Sequence, residues 1–167
     1  MSELASRKLN IGCGKDIRPG FINLDIVKAP GVDVVHNIEY PWHFPDQSFS
    51  LIIAHHVLEH CRNLVNVMNE AYRCMQPGGR FSIKVPWWSG EWAHGDPSHV
   101  LFFDHNSFSA FSDWYPIYKQ LGIHHAWIKV SQTYLHRKAD ENSAFLKEMG
   151  FSTCQEMSVI LQRPLSS

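Results

Sequence analysis

Two stretches concentrate the side chains able to handle a proton or a metal ion. "AHHVLEH" (54–60) offers His55, His56, Glu59 and His60, and "EWAHGDPSHVLFFDH" (91–105) offers Glu91, His94, Asp96, His99, Asp104 and His105. A histidine titrates near pH ~6.5, so its neutral ring can take a proton from a hydroxyl at physiological pH. His55 and His99 are the preferred general bases, with His94 and Asp96 as further catalytic candidates. His56, Glu59 and His60 stand at i, i+3 and i+4, a spacing that shares one face of a helix. With His99 they would make a sound ligand set for a divalent ion. Packing and capping explain the same letters, so no metal is assigned. Trp87, Trp88 and Trp92 beside the second stretch could floor a pocket for a sugar ring, a flat aromatic or a nucleobase. Trp87 and Trp88, directly after a strand, are the better placed. Phe102, Phe103 and Phe108 are expected to pack under the loop.

A third stretch, "KLNIGCGKDIRPGFINLD" (8–25), reads as a nucleotide site with a part missing. Gly12 and Gly14 follow an apolar strand, where glycine allows a tight turn and close approach of the backbone to a ligand. Asp25 ends the next strand and can accept bonds from ribose hydroxyls. A dinucleotide site also needs a third glycine, a helix, and its acid roughly 20 residues on. Here Asp25 follows Gly14 by eleven residues, with Pro19-Gly20 between them. The helix serves a pyrophosphate. A link too short for it points to an adenosine ligand without phosphate, and S-adenosylmethionine has that constitution.

The elements that must position these groups alternate as in an α/β protein. Strands are expected at 8–12, 21–25, 32–36, 49–55 and 80–86. "FSLIIAH" (49–55) is apolar enough for burial on both faces. Val57, Leu58, Cys61, Leu64, Val65, Met68, Ala71, Tyr72 and Met75 recur at helical spacing until "QPGG" stops them, which predicts one helix over 57–75. Residues 49–86 then form a strand–helix–strand unit with a parallel pair and a right-handed crossover. Toward the end, "HHAWIKVSQTYL" reads as strand, "ENSAFLKEMG" as helix and "EMSVILQRP" as the last strand. Connections of about eight residues between the first three strands span a strand's length but leave no room for helices. Half of the sheet should therefore lack helical cover, leaving an apolar face that a second copy of the chain could occupy.

Bulk composition narrows the class. The 167 residues suit one domain, 1–167, of ordinary globular balance, with 44% apolar and 19% charged residues. Fifteen basic against 16 acidic side chains give a net charge of −1, too little positive field for general nucleic-acid binding. No apolar run approaches the ~20 residues of a membrane span, and "MSELASRKLN" lacks a signal peptide's apolar core. Cys13, Cys61, Cys74 and Cys154 form no C-x-x-C pair, consistent with reduced thiols and a cytoplasmic protein.

Taken in order, "LNIGCG", "GFINLD", "VDVVHNIEYPWHFPDQSF", "LIIAHHVLEH" and "MQPGGRFSIKVP" resemble the class I S-adenosylmethionine-dependent methyltransferases of the small type 11 kind, over residues 9 to about 108. The resemblance implies a Rossmann-like, mostly parallel sheet, with 8–86 holding the cofactor and 87–167 facing the acceptor. It places Gly12, Cys13 and Gly14 under the methionine end and Asp25 on the ribose. Ile26, Asn37 and Ile38 would sit around the adenine, and Ala54 and His55 beside the methyl group. It also implies that Glu59 and His60 mostly pack or cap. Lys15-Asp16 stands in place of a third glycine, Asn37 in place of an aspartate, and Ser50 in place of the aspartate of "SFD". The expected activity is methyl transfer to an oxygen or nitrogen of a small molecule or glycan. The rivals are a cofactor-binding partner subunit without turnover and a metal-dependent enzyme built on the histidines.

Overall fold

The computed structural model describes residues 7–112, 119–120, 122–123, 126–136 and 154–165. Its elements are β1 (Arg7–Ile11), β2 (Ile22–Asp25), β3 (Val34–Val35), β4 (Phe49–His55), α1 (Leu64–Cys74), β5 (Met75–Pro86), α2 (Glu91–His94), β6 (Ile128–His136) and β7 (Cys154–Gln162). The strands form one sheet in the order β3-β2-β1-β4-β5-β7-β6. β1 to β5 are parallel, and β7 runs antiparallel to both β5 and β6. The chain order reverses between β1 and β4, which opens a crevice at the carboxyl ends of those strands, where open α/β sheets bind ligands. The expected helix at "ENSAFLKEMG" lies outside the described residues. No described helix is long and apolar enough to cross a membrane.

One sheet face is the core. Leu9, Ile52, Phe81 and Leu161 stand abreast across β1, β4, β5 and β7, and Ile11, Ala54, Ile83 and Val159 form the next row. All eight are buried, and Val67, Met68, Ala71 and Cys74 of α1 join the same cluster. Phe103 and Phe108 are buried in it as well, whereas Phe102 is half exposed and stacks on His94.

No helix covers the connections 12–21, 26–33 and 36–48. The face they leave is not the apolar surface expected. Over β1 and β2 it presents Asn10 beside Asn23, and the row continues through Ile53, Ser82 and Ile160. Asn10 Nδ2 donates to the Asp16 carbonyl (2.7 Å) and to Asn23 Oδ1 (3.1 Å). Asn23 Oδ1 accepts from the Arg18 backbone N–H (3.0 Å), and the Asn23 N–H reaches the Asp33 carboxylate (2.8 Å). Side-chain amides thus satisfy the loop backbone that a helix would have satisfied internally.

The helix predicted over 57–75 is divided. Residues 58–60 form a single 3-10 turn, Cys61 is extended, and α1 starts only at Leu64. Glu39 Oε1 accepts the backbone N–H groups of Arg62 (2.5 Å) and Asn63 (2.6 Å), while Asn63 Oδ1 accepts from Asn66 N–H (3.1 Å). These bonds satisfy donors that a helix start leaves open, so capping overrides the continuous apolar period. At the other end, Arg163 Nη1 donates to the carbonyls of Tyr72 (3.0 Å) and Met75 (2.7 Å). The strand expected at 80–86 begins at Met75, but only from Arg80 does it keep register with β4 and β7.

Candidate active site

A cavity of about 330 Å³ lies at the carboxyl ends of β1, β2 and β4, between the Gly12 turn, the loop after β3 and the 3-10 turn. Gly12, Gly14, Asp25, Ile26, Asn37 and Ile38 line it, as do His36, Glu39, His56, Val57, His60 and Cys61. Gly12 (φ +62°) packs so closely that a Cβ would lie 2.2 Å from Val57 Cγ2. Gly14 (φ +48°) faces open space instead, where a ligand can approach the bare backbone. Asp25 shapes this turn, its carboxylate accepting the N–H groups of Gly14 (2.8 Å) and Val27 (2.9 Å). Each oxygen keeps acceptor capacity for a further donor.

The far end of the cavity offers unsatisfied polar atoms. His36 Nε2 is buried with no hydrogen-bond partner among the described residues. Asn37, which also lines the cavity, accepts the Glu39 N–H at Oδ1 (2.9 Å) and keeps the donors of Nδ2. Such atoms suit the nitrogen-rich edge of an adenine, and Asp25 suits a ribose diol. The residues present therefore fit an adenosine without phosphate.

Three residues expected at this site stand elsewhere. Cys13 is buried, and its N–H bonds the Leu24 carbonyl (3.0 Å). Ala54 is fully buried in the core row. His55 projects from the opposite sheet face, where Arg18 Nη2 lies 3.1 Å from its Nδ1. The backbone turns at His56 (φ +54°), so His56 lines the cavity and His55 does not. The resemblance placed His55 beside the methyl group; the left-handed backbone at His56 turns the next histidine into the cavity instead.

These neighbours titrate in opposite directions. Burial, with the charges of Arg18 and Lys84, lowers His55 to about 4. Hydrogen bonds to Glu59 and Glu156 hold His56 above the usual 6.5, with Glu156 the shorter contact at 2.8 Å. Between pH ~6.5 and about 4, His55 binds more protons in the unfolded chain than in the fold, so its contribution falls as pH falls through that window. His56 has the opposite sign: its contribution is present below 6.5 and lost as pH rises through its raised pKa. Ring-proton titration should place the two on opposite sides of 6.5. His55→Leu should flatten the acid-side fall in Tm.

A second pocket, of about 450 Å³, shares His56 and His60 with the first and continues along Glu59, Glu91, Trp92, Asp96 and His99. Glu59, His60 and His99 can bring one ligand atom each within 4.8 Å of one another. His56 is not in this group, because His56, Glu59 and His60 occupy a turn and not an α-helical face. The hydrogen bonds determine the ring tautomers. His99 Nδ1 faces the Ala93 carbonyl (3.0 Å), an acceptor only, so the proton is on Nδ1 and Nε2 keeps its lone pair. Ser98 Oγ donates to the acceptor-only Asp96 carboxylate (2.6 Å), so it accepts from His60 Nδ1–H (3.0 Å), leaving His60 Nε2 a lone pair as well. The same Ser98 bonds hold the exposed Asp96 carboxyl below its usual range. Glu59 is buried, and its Oε2 has no partner among the described residues.

His94 stands apart from this cluster, its Nε2 on the Trp88 carbonyl (2.8 Å). Of the three tryptophans, Trp92 lines the pocket. Trp87 packs edge-on against Tyr134 and bonds Ser89 Oγ (3.0 Å), while Trp88 is exposed. Gly90 seats the start of α2 against β7, and a Cβ there would lie 2.6 Å from the Cys154 carbonyl oxygen. Gly90→Ala is expected to destabilise the protein by about 1–3 kcal/mol in urea unfolding, because backbone must move to admit the methyl.

Sequence comparison matches residues 2–83 to the family described as a methyltransferase domain. No curated protein matches the sequence. Among solved structures, a SAM-dependent methyltransferase from Archaeoglobus fulgidus superposes with a TM-score of 0.66 at 19% identity, over 95% of this chain and 87% of that one. The YcgJ protein from Bacillus subtilis gives 0.63 at 16% identity, over 97% and 93%. Phosphoethanolamine N-methyltransferase 2 from Haemonchus contortus, in complex with S-adenosyl-L-methionine, gives 0.59 at 14% identity, over 95% of this chain and 49% of its own. At these identities the likeness is one of fold.

Proposed function

We propose that the chain is a class I methyltransferase of the type 11 kind that takes S-adenosylmethionine as its cofactor and moves the methyl group to a hydroxyl oxygen of a small molecule or glycan. One observation carries the choice of oxygen: the cofactor cavity and the histidine pocket meet at His60, whose tautomer leaves Nε2 free to accept a proton. A hydroxyl loses a proton when it is methylated, so a placed base favours it.

When bound, S-adenosylmethionine supplies a methyl group on a sulfonium that departs as a neutral thioether. Asp25 would accept the ribose hydroxyls, Asn37 and His36 would offer hydrogen-bonding groups to the adenine, and the bare backbone at Gly14 would receive the methionine end. His60 Nε2 takes the acceptor's proton, and Asp96 and Ser98 hold the ring in the required tautomer. His99 stands beside His60, ring centroids 4.7 Å apart, as a second acceptor of hydrogen bonds from the substrate.

Calorimetric titration with S-adenosylmethionine and its demethylated thioether tests the cofactor assignment. Isotope-labelled methyl transfer to a panel of sugars and phenols tests the acceptor class. Transfer to amines alone would overturn the oxygen reading.

A second reading is favoured by Glu59, His60 and His99 together. A divalent ion held by Glu59, His60 and His99 would orient the acceptor hydroxyl and lower its pKa. The bonds from both Nδ1–H groups to oxygen are those that commonly orient metal-binding imidazoles. Elemental analysis of the purified protein and chelator sensitivity of the transfer rate decide between an ion and a free base.

A further inference from the structure

Beyond the histidine pocket lies a chamber of about 300 Å³ lined by Glu91, Trp92, Leu135, His136 and Gln155. Gln155, on β7, is only 4% exposed, yet among the described residues neither Oε1 nor Nε2 has a hydrogen-bond partner. Its backbone is engaged, the carbonyl accepting the Trp87 N–H (3.0 Å). The next buried polar side chain on the strand, Glu156, is committed to His56 (2.8 Å) and Lys84 (3.5 Å). Gln155 thus presents a donor and an acceptor side by side, out of bulk water and against a cavity. Native proteins rarely leave such groups unmatched.

We propose that this chamber is the recognition end of the acceptor site and binds a planar primary carboxamide or lactam, paired edge to edge with the Gln155 amide. Such a group returns one acceptor to Nε2–H and one donor to Oε1 in a single plane. A carboxylate offers acceptors only and would set an anion against Oε1 beside Glu91. An ammonium group offers donors only. The half-exposed indole of Trp92 supplies a flat wall for the ring that carries the amide. Glu91 and Trp92 also line the histidine pocket, so one molecule can hold its amide end here and its reacting hydroxyl at His60. The link to the hydroxyl rests on the proposed methyl transfer, whereas the chamber's own chemistry does not.

The test uses the full chain, isotope-labelled for side-chain amide resonances, with the Gln155 signal identified by its loss in Gln155→Leu. Benzamide, benzoate and acetophenone are titrated without cofactor. The expected result is a saturable shift of the Gln155 amide by benzamide alone, with affinity lowered about ten-fold or more in Gln155→Leu and in Trp92→Leu. Trp92 is half exposed, so its replacement keeps the test valid if Gln155→Leu misfolds. No saturable shift, equal binding of acetophenone, or benzamide affinity unchanged in either folded variant overturns the proposal. Benzamide binding in a protein that transfers methyl to no hydroxyl would sink the proposed reaction and leave the chamber's chemistry standing.

Discussion

Asp25→Ala is expected to weaken S-adenosylmethionine binding by about 100-fold or more. The carboxylate has two tasks on the same two oxygens. It accepts the N–H groups of Gly14 and Val27, which shapes the turn, and it keeps lone pairs for the ribose hydroxyls. Hydrogen bonds to a charged group contribute about 1.5–3 kcal/mol each. Losing two of them already gives the stated factor, before any loosening of the glycine turn. Asp25→Asn, with one acceptor oxygen and no charge, should fall between the alanine variant and the parent. Calorimetry at constant salt reads the result, and circular dichroism confirms that the variants fold. An unchanged Kd in Asp25→Ala would mean that Asp25 does not hold the ribose.

His60→Ala carries the second large effect, a fall in kcat of about 10²–10⁴ at saturating cofactor, the range typical of a lost general base. Cofactor affinity should change by less than ten-fold, since Asp25 and the Gly14 turn are untouched. Ser98→Ala and Asp96→Asn test the means of action: both leave Nε2 in place but remove what holds the proton on Nδ1, so each should cost about ten-fold in kcat. Added imidazole should restore part of the rate to His60→Ala and none to Ser98→Ala. A chelator-insensitive parent with this pattern fits the free base. A parent that loses its rate on chelation and regains it with a divalent ion fits the metal-held reading.

Legibility in the sequence followed the range of the forces involved. The parallel ladder of β1, β2, β4 and β5 was readable because strand alternation and glycine turns are local. The cavity residues Gly12, Gly14, Asp25, Ile26, Asn37 and Ile38 come from three segments, each carrying its own turn or strand-end signal, and the structure brings them to one place. The length of the helix was not readable, because the residue that ends its first turn, Glu39, acts from the far side of β4. Nor was the choice of histidine. His55 and His56 are adjacent letters of one type, and a single positive φ sends one to Arg18 and the other to the cavity.

By itself the chain's order of residues determined the α/β architecture, the helix-poor half of the sheet and the glycine turn and strand-end acid that line one cavity, since each depends on spacing within some twenty residues. Tertiary structure alone decided which imidazoles keep a free lone pair, that Glu59 turns inward beside them, and that Gln155 is buried unmatched. Those properties belong to contacts between His60 and Ser98, His99 and Ala93, and β7 and α2. Hydrogen-bond partners brought together by folding set proton positions and burial, and no local pattern of letters encodes them.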